Sequence, residues 1–419
     1  MTAKRSAKRS AAAPPEAPSR PLQRRVYYVS GFDPASPKKY HRIYAEQAER
    51  QGALTGVRYE IGELLPIDEV TSGWTVTATH PGGRVVEVDY RFLHWFEQVR
   101  EAWPKDDPSL FLKIYKALMA YRAGGLLKIA KAEAPVVWLT AWAPIMLAVT
   151  VILALCLVVG VLMALGAVLA HRLHWPWFAG ALPPLALLFL LMPIWRRADA
   201  VVPLGWCGRG MIGVTQAAQG ESPGFARRSA EFAQRLADAE REGGYDEILV
   251  VGHSMGCQQA CRAVGRAVML NPQLGRIRRV RLLTLGSLLP FYSITEAWAG
   301  GDPDWRAEMK ALVDADWIDW LDVTAPADPG CAATLHPLRG LDLGEPEGRP
   351  HRRSPRFKEL LSPETLRRLK RAPLDYHFQY IMAAERPGEY DYFALTAGPE
   401  PITRLAPAKA RKSAKAKAA

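Results

Sequence analysis

Cysteine is scarce in this chain, with five residues among 419. One of them, Cys156, lies inside a long apolar run, and only Cys257 and Cys261 are close to one another. Cysteines so few and so placed do not form the disulfide framework of a small secreted domain. The spacing of Cys257 and Cys261 suits one helix face, but no third and fourth ligand lies nearby, which argues against a zinc site. We therefore expect buried thiols and a reducing, cytoplasmic setting.

The signatures of several other protein classes are also missing. The sequence contains no Walker-type phosphate loop, no zinc-ligand pattern and no internal repeat. The basic N-terminus is not followed by an apolar stretch, so it does not have the form of a secretory signal peptide. Whatever chemistry the chain performs, we expect it to need neither a cofactor nor a metal.

The body of the chain lacks net charge, although the formal total is +12. Residues 1–25 contribute +6, because seven basic residues face only Glu16, and residues 401–419 contribute another +6. Both segments are rich in Ala, Lys, Ser and Pro, which predicts disordered tails. Such tails serve solubility or attract anionic lipid headgroups. A neutral body does not favour specific nucleic-acid binding.

Charge is entirely absent from Ala134 to Ala170, and the stretch Ile145 to Ala170 is long enough to cross a bilayer. A second uncharged run, Trp175 to Trp195, follows after a short link. Its four prolines would kink a helix, so a re-entrant or interfacial segment is an alternative to a second crossing. We predict a two-helix transmembrane hairpin over residues 134–197.

Residues at the ends of the two runs support this assignment. Tryptophans, which prefer the headgroup level, stand near the ends of both runs. Basic residues lie before the first run and after the second, whereas the link contains only Arg172. From the positive-inside tendency we expect both soluble parts in the cytoplasm and the hairpin in a bacterial inner membrane.

The soluble parts on either side of the hairpin have α/β patterns. Before the hairpin, predicted strands at residues 26–30, 57–61, 74–79 and 85–90 surround a helix over residues 36–51, and Pro81-Gly82-Gly83 predicts a hairpin turn. After it, predicted helices at residues 223–242, 257–269, 305–313 and 363–371 alternate with predicted strands at residues 248–251, 280–285 and 317–324. We expect one α/β domain, formed by residues 26–133 and 198–400, with a mostly parallel sheet and helices on both faces.

One motif carries chemistry. The run Gly252-His253-Ser254-Met255-Gly256 follows a buried strand pattern and precedes a small-residue helix pattern, as a nucleophile elbow does. A sharp turn of this kind exposes a strained serine hydroxyl, while Gly252 and Gly256 avoid clashes. Ser254 would lie at a helix N-terminus, where the Met255 N–H can stabilise an oxyanion. The alternative is a serine that only caps a helix.

This elbow and its surroundings resemble the α/β-hydrolase superfamily, especially its lipase and esterase-like members. The resemblance covers most of the soluble chain. It implies a second oxyanion donor in the loop after an early strand, and Gly31-Phe32 occupies that place. Phe32 N–H is the candidate, although this loop has no His-Gly pair and Gly31 could simply end a strand.

The resemblance also implies the chain order of nucleophile, acid and histidine. The loop Ala325-Pro326-Ala327-Asp328-Pro329 follows a predicted strand over residues 317–324, which makes Asp328 the candidate acid. Asp322, within that strand, is the rival.

His377 lies near the end of the folded part, before a predicted short helix, and is the candidate base. The remaining histidines fit less well. His253 occupies a variable elbow position, His336 and His351 fall in a Pro, Gly and Arg-rich stretch that reads as a mobile surface loop, and His41 and His94 precede the serine.

The resemblance therefore implies acyl transfer to water through Ser254, Asp328 and His377. Because of the hairpin, we expect the substrate to be an acyl lipid or another small acyl ester at the membrane. An acyltransferase or thioesterase with the same three residues is one alternative. A catalytically silent membrane scaffold is another, and the sequence names no protein partner.

Overall fold

The strands of the described residues form one mixed sheet. The computed structural model describes residues 20–104, 109–176, 204–332, 334–344 and 348–402. Within these ranges, nine strands occur: β1 (Leu22–Val29), β2 (Arg58–Ile61), β3 (Leu65–Asp68), β4 (Thr71–Thr79), β5 (Val85–Leu93), β6 (Glu247–His253), β7 (Arg279–Leu285), β8 (Asp319–Val323) and β9 (His351–Arg353).

The strand order is β2-β4-β5-β1-β6-β7-β8-β9, with β3 paired to β4 outside this path. The pairings from β5 through β1 to β9 are parallel, whereas β2, β3 and β5 pair with β4 in antiparallel fashion. The prediction of a mostly parallel sheet is therefore wrong. The turn at Pro81-Gly82-Gly83 reverses the chain between β4 and β5, and an edge built from such a hairpin is antiparallel.

Helices cover both faces of this sheet. They are α1 (Pro37–Thr55), α2 (Phe96–Ala102), α3 (Ser109–Ala123), α4 (Leu126–Glu133), α5 (Pro135–Arg172), α6 (Leu204–Ala218), α7 (Pro223–Glu242), α8 (Gly256–Leu270), α9 (Leu289–Ala299), α10 (Trp305–Asp314), α11 (Phe357–Leu360), α12 (Pro363–Arg371), α13 (Pro373–Phe378) and α14 (Tyr392–Ala397), with a 3₁₀ turn at Gln379–Ile381.

Alternate residues of the central strands pack into two separate cores. In β6, Ile248 and Val250 belong to one core, which also contains side chains of α3 to α10. Leu249 and Val251 belong to the other, with side chains of α1 and α11 to α14. Successive side chains of a strand point to opposite faces, so a strand that is apolar throughout must be covered on both sides. This explains the uninterrupted apolar run before Gly252.

The N-terminal tail is shorter than predicted. Arg20 is already bonded to Asp246, and β1 begins at Leu22 rather than at residue 26. Arg24, which is buried, donates from Nε to Glu247 Oε1 at 2.8 Å, and buried Arg281 pairs with the same carboxylate. A buried carboxylate partner allows arginine to occupy a central strand, which composition alone does not indicate. At the other end Ile402 is buried, and residues 1–19 and 403–419 lie outside the described residues.

Loss of the Glu247 charge should strongly destabilise the fold. Glu247→Gln would leave Arg24 and Arg281 buried with less opposite charge, and removal of one member of a buried pair typically lowers the free energy of unfolding by about 3–5 kcal/mol. Thermal unfolding followed by circular dichroism measures the difference. Glu60→Gln, which removes an exposed carboxylate paired with Arg58 on edge strand β2, is the matched control and should unfold like the wild type. Equal unfolding of both variants would contradict a stabilising role for this cluster.

The first predicted membrane segment is a continuous helix. α5 spans 38 residues, and its part Leu153–Arg172 is long and apolar enough to cross a membrane, with only 6% of that window buried. This is the one such helix among the described residues. A core helix of a soluble protein would be mostly buried, in contrast to this one. The second predicted segment lies almost wholly in residues 177–203, outside the described residues, so the hairpin remains a prediction.

Candidate active site

Ser254 stands in a sharp turn between β6 and α8. Its φ is 57°, in the left-handed region that residues other than glycine rarely adopt. The turn is held by two backbone hydrogen bonds: Ser254 N–H donates to Leu285 O at 2.8 Å, and Cys257 N–H donates to Ser254 O at 3.0 Å. A strained serine between a buried strand and a helix is the local geometry of a nucleophile elbow.

Glycines around this turn allow close backbone contact. A Cβ at Gly252 would lie 2.6 Å from Cys257 Cα, and one at Gly256 would lie 2.3 Å from the carbonyl oxygens of Val29 and Ser30. A Cβ at Gly31 would lie 2.9 Å from Ser254 Cβ and 3.3 Å from its Oγ. Gly31 therefore does more than end β1, because its lack of a side chain brings the β1 loop against the serine.

Asp328 and His377 form a buried pair, although 49 residues separate them. His377 Nδ1 is 2.8 Å from Asp328 Oδ2, and both side chains are fully shielded from solvent. Asp328 Oδ1 accepts from Gly330 N–H at 2.8 Å, and Asp328 Oδ2 also accepts from the Tyr380 hydroxyl at 3.0 Å. Burial alone would raise the pKa of Asp328, but His377, the Gly330 N–H and the Tyr380 hydroxyl together lower it.

The rival acid, Asp322, occupies a different environment. It pairs in register with Thr284 of β7, whose hydroxyl donates to Asp322 Oδ1 at 2.7 Å. Burial raises the pKa of Asp322 to about 6, against the lowering effect of this hydrogen bond. Only Asp328 is hydrogen bonded to His377 among the described carboxylates.

The sequence predicted that His377 precedes a short helix, but His377 lies inside the short helix α13. Its ring stacks on that of His253, the neighbour of Ser254, at a centroid distance of 4.9 Å. The Nε2 atom of His377 is buried and accepts or donates no hydrogen bond within the described part of the chain. His377 therefore contacts the residue next to Ser254 but forms no hydrogen bond with Ser254 itself. Hydrogen bonds between a nucleophile and its base are often long before substrate binds.

His253 holds the base in place rather than replacing it. Its Nε2 lies 3.0 Å from His377 O, and since a carbonyl can only accept, Nε2 must carry the proton. Burial and the neighbouring His377 lower the pKa of His253 to about 3, so the ring is neutral. Sequence reasoning treated this as a variable position and missed its contact with His377.

The other four histidines considered as bases form no hydrogen bond with Asp328 among the described residues. His41 and His94 hydrogen bond to Gly62 O and Ser72 Oγ, respectively. His336 is bonded locally to Leu338 N–H, and His351 begins edge strand β9, so the predicted surface loop contains a strand.

The two predicted oxyanion donors lie beside Ser254. Met255 and Phe32 line the same pocket as Ser254. Neither N–H donates to a backbone acceptor within the described residues. The Phe32 loop is held by Asp33, whose N–H donates to Gly31 O at 2.7 Å and whose carboxylate binds Ala35 N–H, Lys39 and the Tyr40 hydroxyl. Two available N–H groups near the serine are what stabilisation of an oxyanion requires.

The pocket beside Ser254 is almost entirely apolar; its cavity volume is about 60 Å³, within a space of about 590 Å³ that includes open solvent. Its walls come from α3, α5, α6, α9 and the loop after β8, and they include Tyr121, Ala141, Met211, Phe291 and Pro329. The ring of Trp206, another wall residue, lies 5.4 Å from that of His377. An apolar pocket with a few polar groups at one point suits an apolar ligand with one reactive group.

Tyr380 is, with His253, a residue of the site that sequence reasoning missed. Its hydroxyl accepts from Ala325 N–H at 2.8 Å while donating to Asp328 Oδ2, so it joins the acid to the end of β8. The available signal was its position three residues after His377.

No protein-family model, curated protein or solved structure matches this chain. Within the described residues, no group of three or more His, Cys, Asp or Glu side chains could hold a metal ion. None of the five cysteines, all within the described ranges, is in a disulfide. The site must therefore be interpreted from its own geometry.

Proposed function

We propose that this chain is a membrane-anchored serine hydrolase of the α/β-hydrolase type that cleaves carboxylic esters. The observation that carries the proposal is the buried Asp328–His377 hydrogen bond beside a serine held at positive φ. The apolar pocket next to Ser254 supports an acyl substrate, and the exposed apolar part of α5 supports the anchor.

The proposed reaction has two acyl-transfer steps. Ser254 Oγ attacks the ester carbonyl carbon while His377 Nε2 takes the serine proton, and Asp328 stabilises the resulting imidazolium. The Met255 and Phe32 N–H groups stabilise the negative oxygen. The bond to the alcohol oxygen then breaks, and the alcohol leaves with the proton from His377. Water, deprotonated by His377, attacks the acyl-enzyme carbonyl carbon; the bond to Ser254 Oγ then breaks, His377 returns the proton to that oxygen, and the carboxylic acid is released.

A covalent probe tests this proposal directly. The full chain, purified in mild detergent, is treated with a fluorophosphonate, and mass spectrometry locates the adduct; hydrolysis of short and long p-nitrophenyl esters is measured in parallel. We expect modification of Ser254 and ester turnover, with heat-denatured protein as the control. If folded protein is neither labelled nor active on any ester, the enzyme proposal fails in favour of a silent membrane scaffold. Release of the acyl group only to an acceptor other than water would indicate an acyltransferase.

Tyr380→Phe should weaken the acid and change the pH profile. The variant keeps the ring but removes one donor to the Asp328 carboxylate, so the pKa of Asp328 rises toward the value that burial favours. The carboxylate then becomes protonated at a higher pH, and the acid limb of the kcat/KM profile moves to higher pH. Hydrogen bonds to charged groups contribute about 1.5–3 kcal/mol, so we expect kcat/KM to fall about tenfold at pH 7.

Tyr376→Phe is the control for this variant. Tyr376 lies in the same segment and packs on Phe357, but among the described residues its hydroxyl forms no hydrogen bond with Asp328. We expect its pH profile to match the wild type. A Tyr380→Phe profile that is lowered equally at every pH would contradict the positioning role and leave only a packing role.

A further inference from the structure

The wall of the pocket and the candidate membrane span belong to the same helix. Val137 and Ala141, in the first two turns of α5, are buried and line the pocket, whereas Leu139 between them is exposed. From Met146 onward α5 exposes large apolar side chains such as Leu153, Leu157 and Leu165. One uninterrupted helix therefore runs from the site beside Ser254 into an apolar segment that the other described residues leave mostly exposed.

Distances along α5 determine where the pocket would lie relative to a bilayer. At a rise of about 1.5 Å per residue, Ala141 is about 8 Å from Met146 and about 18 Å from Leu153 along the axis. The headgroup region on each side of a bilayer is about 5–8 Å thick. A bilayer that covers the exposed apolar part of α5 would thus place the pocket at or just above its headgroups.

A second wall of the pocket is formed by α6, which follows the second uncharged run in the sequence. α6 supplies Cys207, Gly210 and Met211, and it begins at Leu204, soon after the uncharged run Trp175 to Trp195. The first wall is therefore part of the apolar helix, and the second wall begins nine residues after the second apolar run. An enzyme that used α5 only as a tether would not need this helix to line the site.

The helices beside α5 carry the charge expected at a lipid headgroup surface. α3 and α4 pack against α5 and contain Lys113, Lys116, Arg122, Lys128 and Lys131. Their one acidic residue, Glu133, pairs with Arg339. α3 also exposes two apolar side chains, Leu112 and Tyr115, among its lysines. Basic and aromatic side chains at the base of a membrane helix favour anionic headgroups.

We propose that the pocket is an acyl-chain site that takes its substrate, a long-chain lipid ester, directly from the bilayer between α5 and α6. The proposal rests on the serine hydrolase function proposed above and specifies its substrate class. The lipid chain would lie among the α5 and α6 side chains with its ester at Ser254. Hydrolysis would then release a long-chain carboxylic acid and the lipid alcohol.

Two glycines provide a matched pair of variants. Gly210 lines the pocket and Gly160 lies on the exposed apolar part of α5, and a Cβ at either position would meet nothing within 4 Å. Both lie inside helices, so each tolerates a side chain locally. Gly210→Leu places a side chain in the pocket at a position where a Cβ has room, and Gly160→Leu adds the same side chain outside the pocket. Ala141→Leu narrows the pocket from α5 and serves as a second test.

The full chain is reconstituted in vesicles of phosphatidylcholine and phosphatidylglycerol and labelled with ethyl or hexadecyl fluorophosphonate. We expect the hexadecyl probe, which resides in the bilayer, to label wild type at least about tenfold faster than the ethyl probe. Gly210→Leu and Ala141→Leu should lower the hexadecyl-to-ethyl ratio about tenfold, since overfilling a packed space costs about 1.4 kcal/mol for that change. Gly160→Leu should leave the ratio unchanged.

The outcomes separate the two proposals. If neither probe labels wild type, the hydrolase proposal itself fails. If the ethyl probe labels Ser254 but the hexadecyl probe is no faster, hydrolase chemistry stands and bilayer entry is overturned. A ratio unaffected by both pocket variants, or lowered equally by Gly160→Leu, overturns the acyl-chain site as well.

Discussion

Ser254→Ala is expected to abolish fluorophosphonate labelling and to lower kcat for ester hydrolysis by about a millionfold. Removal of the nucleophile of a serine hydrolase leaves only substrate binding and oxyanion stabilisation, which maintain a small residual rate. Alanine also lacks the hydroxyl without adding bulk next to Gly31, so the packing of the turn is retained. Labelling on a gel and initial rates with a p-nitrophenyl ester measure both effects.

Ser287→Ala is the matched control for this result. Ser287 is buried and follows β7, where its hydroxyl accepts from Leu289 N–H, and it does not line the pocket. Its replacement should leave labelling intact and change the rate only a few-fold. Labelling that persists in Ser254→Ala would assign the probe to another residue and remove the basis for the proposed mechanism.

The order of the elements could be read from periodicity and turn residues. The helices predicted over residues 223–242 and 363–371 have those bounds in the structure, and β6, β7 and the hairpin of β4 and β5 lie within a few residues of their predictions. These segments have strong local signals: capping prolines, a Gly-Gly stop and continuous apolar runs. The antiparallel pairings all join β4 to segments close to it in the sequence: the predicted hairpin turn already implied one of them, and β3 was not predicted. The prediction of a mostly parallel sheet rested instead on the later alternation of helices and strands.

The N-terminal boundary was misjudged because charge was treated as a sign of disorder. Arg24 and Arg25 look like part of a basic tail, yet both lie in β1 and pair with carboxylates from β5, α7 and β6. Those partners are more than 60 residues away in the sequence. Net charge is a property of composition, whereas ion pairing depends on the folded arrangement.

The candidate site was accessible to sequence reasoning where a motif or a chain order marks it. The elbow around Ser254 has a local pattern, and the positions of Asp328 and His377 follow from the resemblance to a family whose three residues occur in a known order. The contacts of Tyr380 and His253 have no such pattern. They depend on how α13 and the following turn pack against β6 and β8, so only the structure reveals them.

The relation between the pocket and the membrane segment could not be predicted either. An uncharged run indicates a crossing, but it does not indicate which residues before the crossing line a site. Val137 and Ala141 differ little in character from the exposed residues beside them. Their burial is determined by α3, α4 and α6, which pack around the first turns of α5.

The second large expected effect is a loss of activity in Asp328→Asn, which distinguishes the two candidate acids. Asp328→Asn should lower kcat/KM about ten-thousandfold with little change in packing. An amide cannot stabilise the imidazolium, and it favours the wrong tautomer of His377 because its NH₂ group donates toward Nδ1. Since asparagine is neutral at every pH, the loss should persist across the neutral range, unlike the pH-dependent loss in Tyr380→Phe. Initial rates over a pH series distinguish the two variants.

Asp322→Asn is the matched control and should change kcat/KM by less than about threefold, because its amide oxygen can still accept from Thr284. Its effect should appear in stability instead. The pKa of Asp322 is raised from 3.8 to about 6. Between these pH values the native state still binds a proton that the unfolded chain has already released. Wild-type stability should therefore decrease as pH rises from about 4 to 6 and stay lower above that, whereas this contribution disappears in the variant. A large loss of activity in Asp322→Asn with none in Asp328→Asn would assign the acid to β8 and contradict the proposed site.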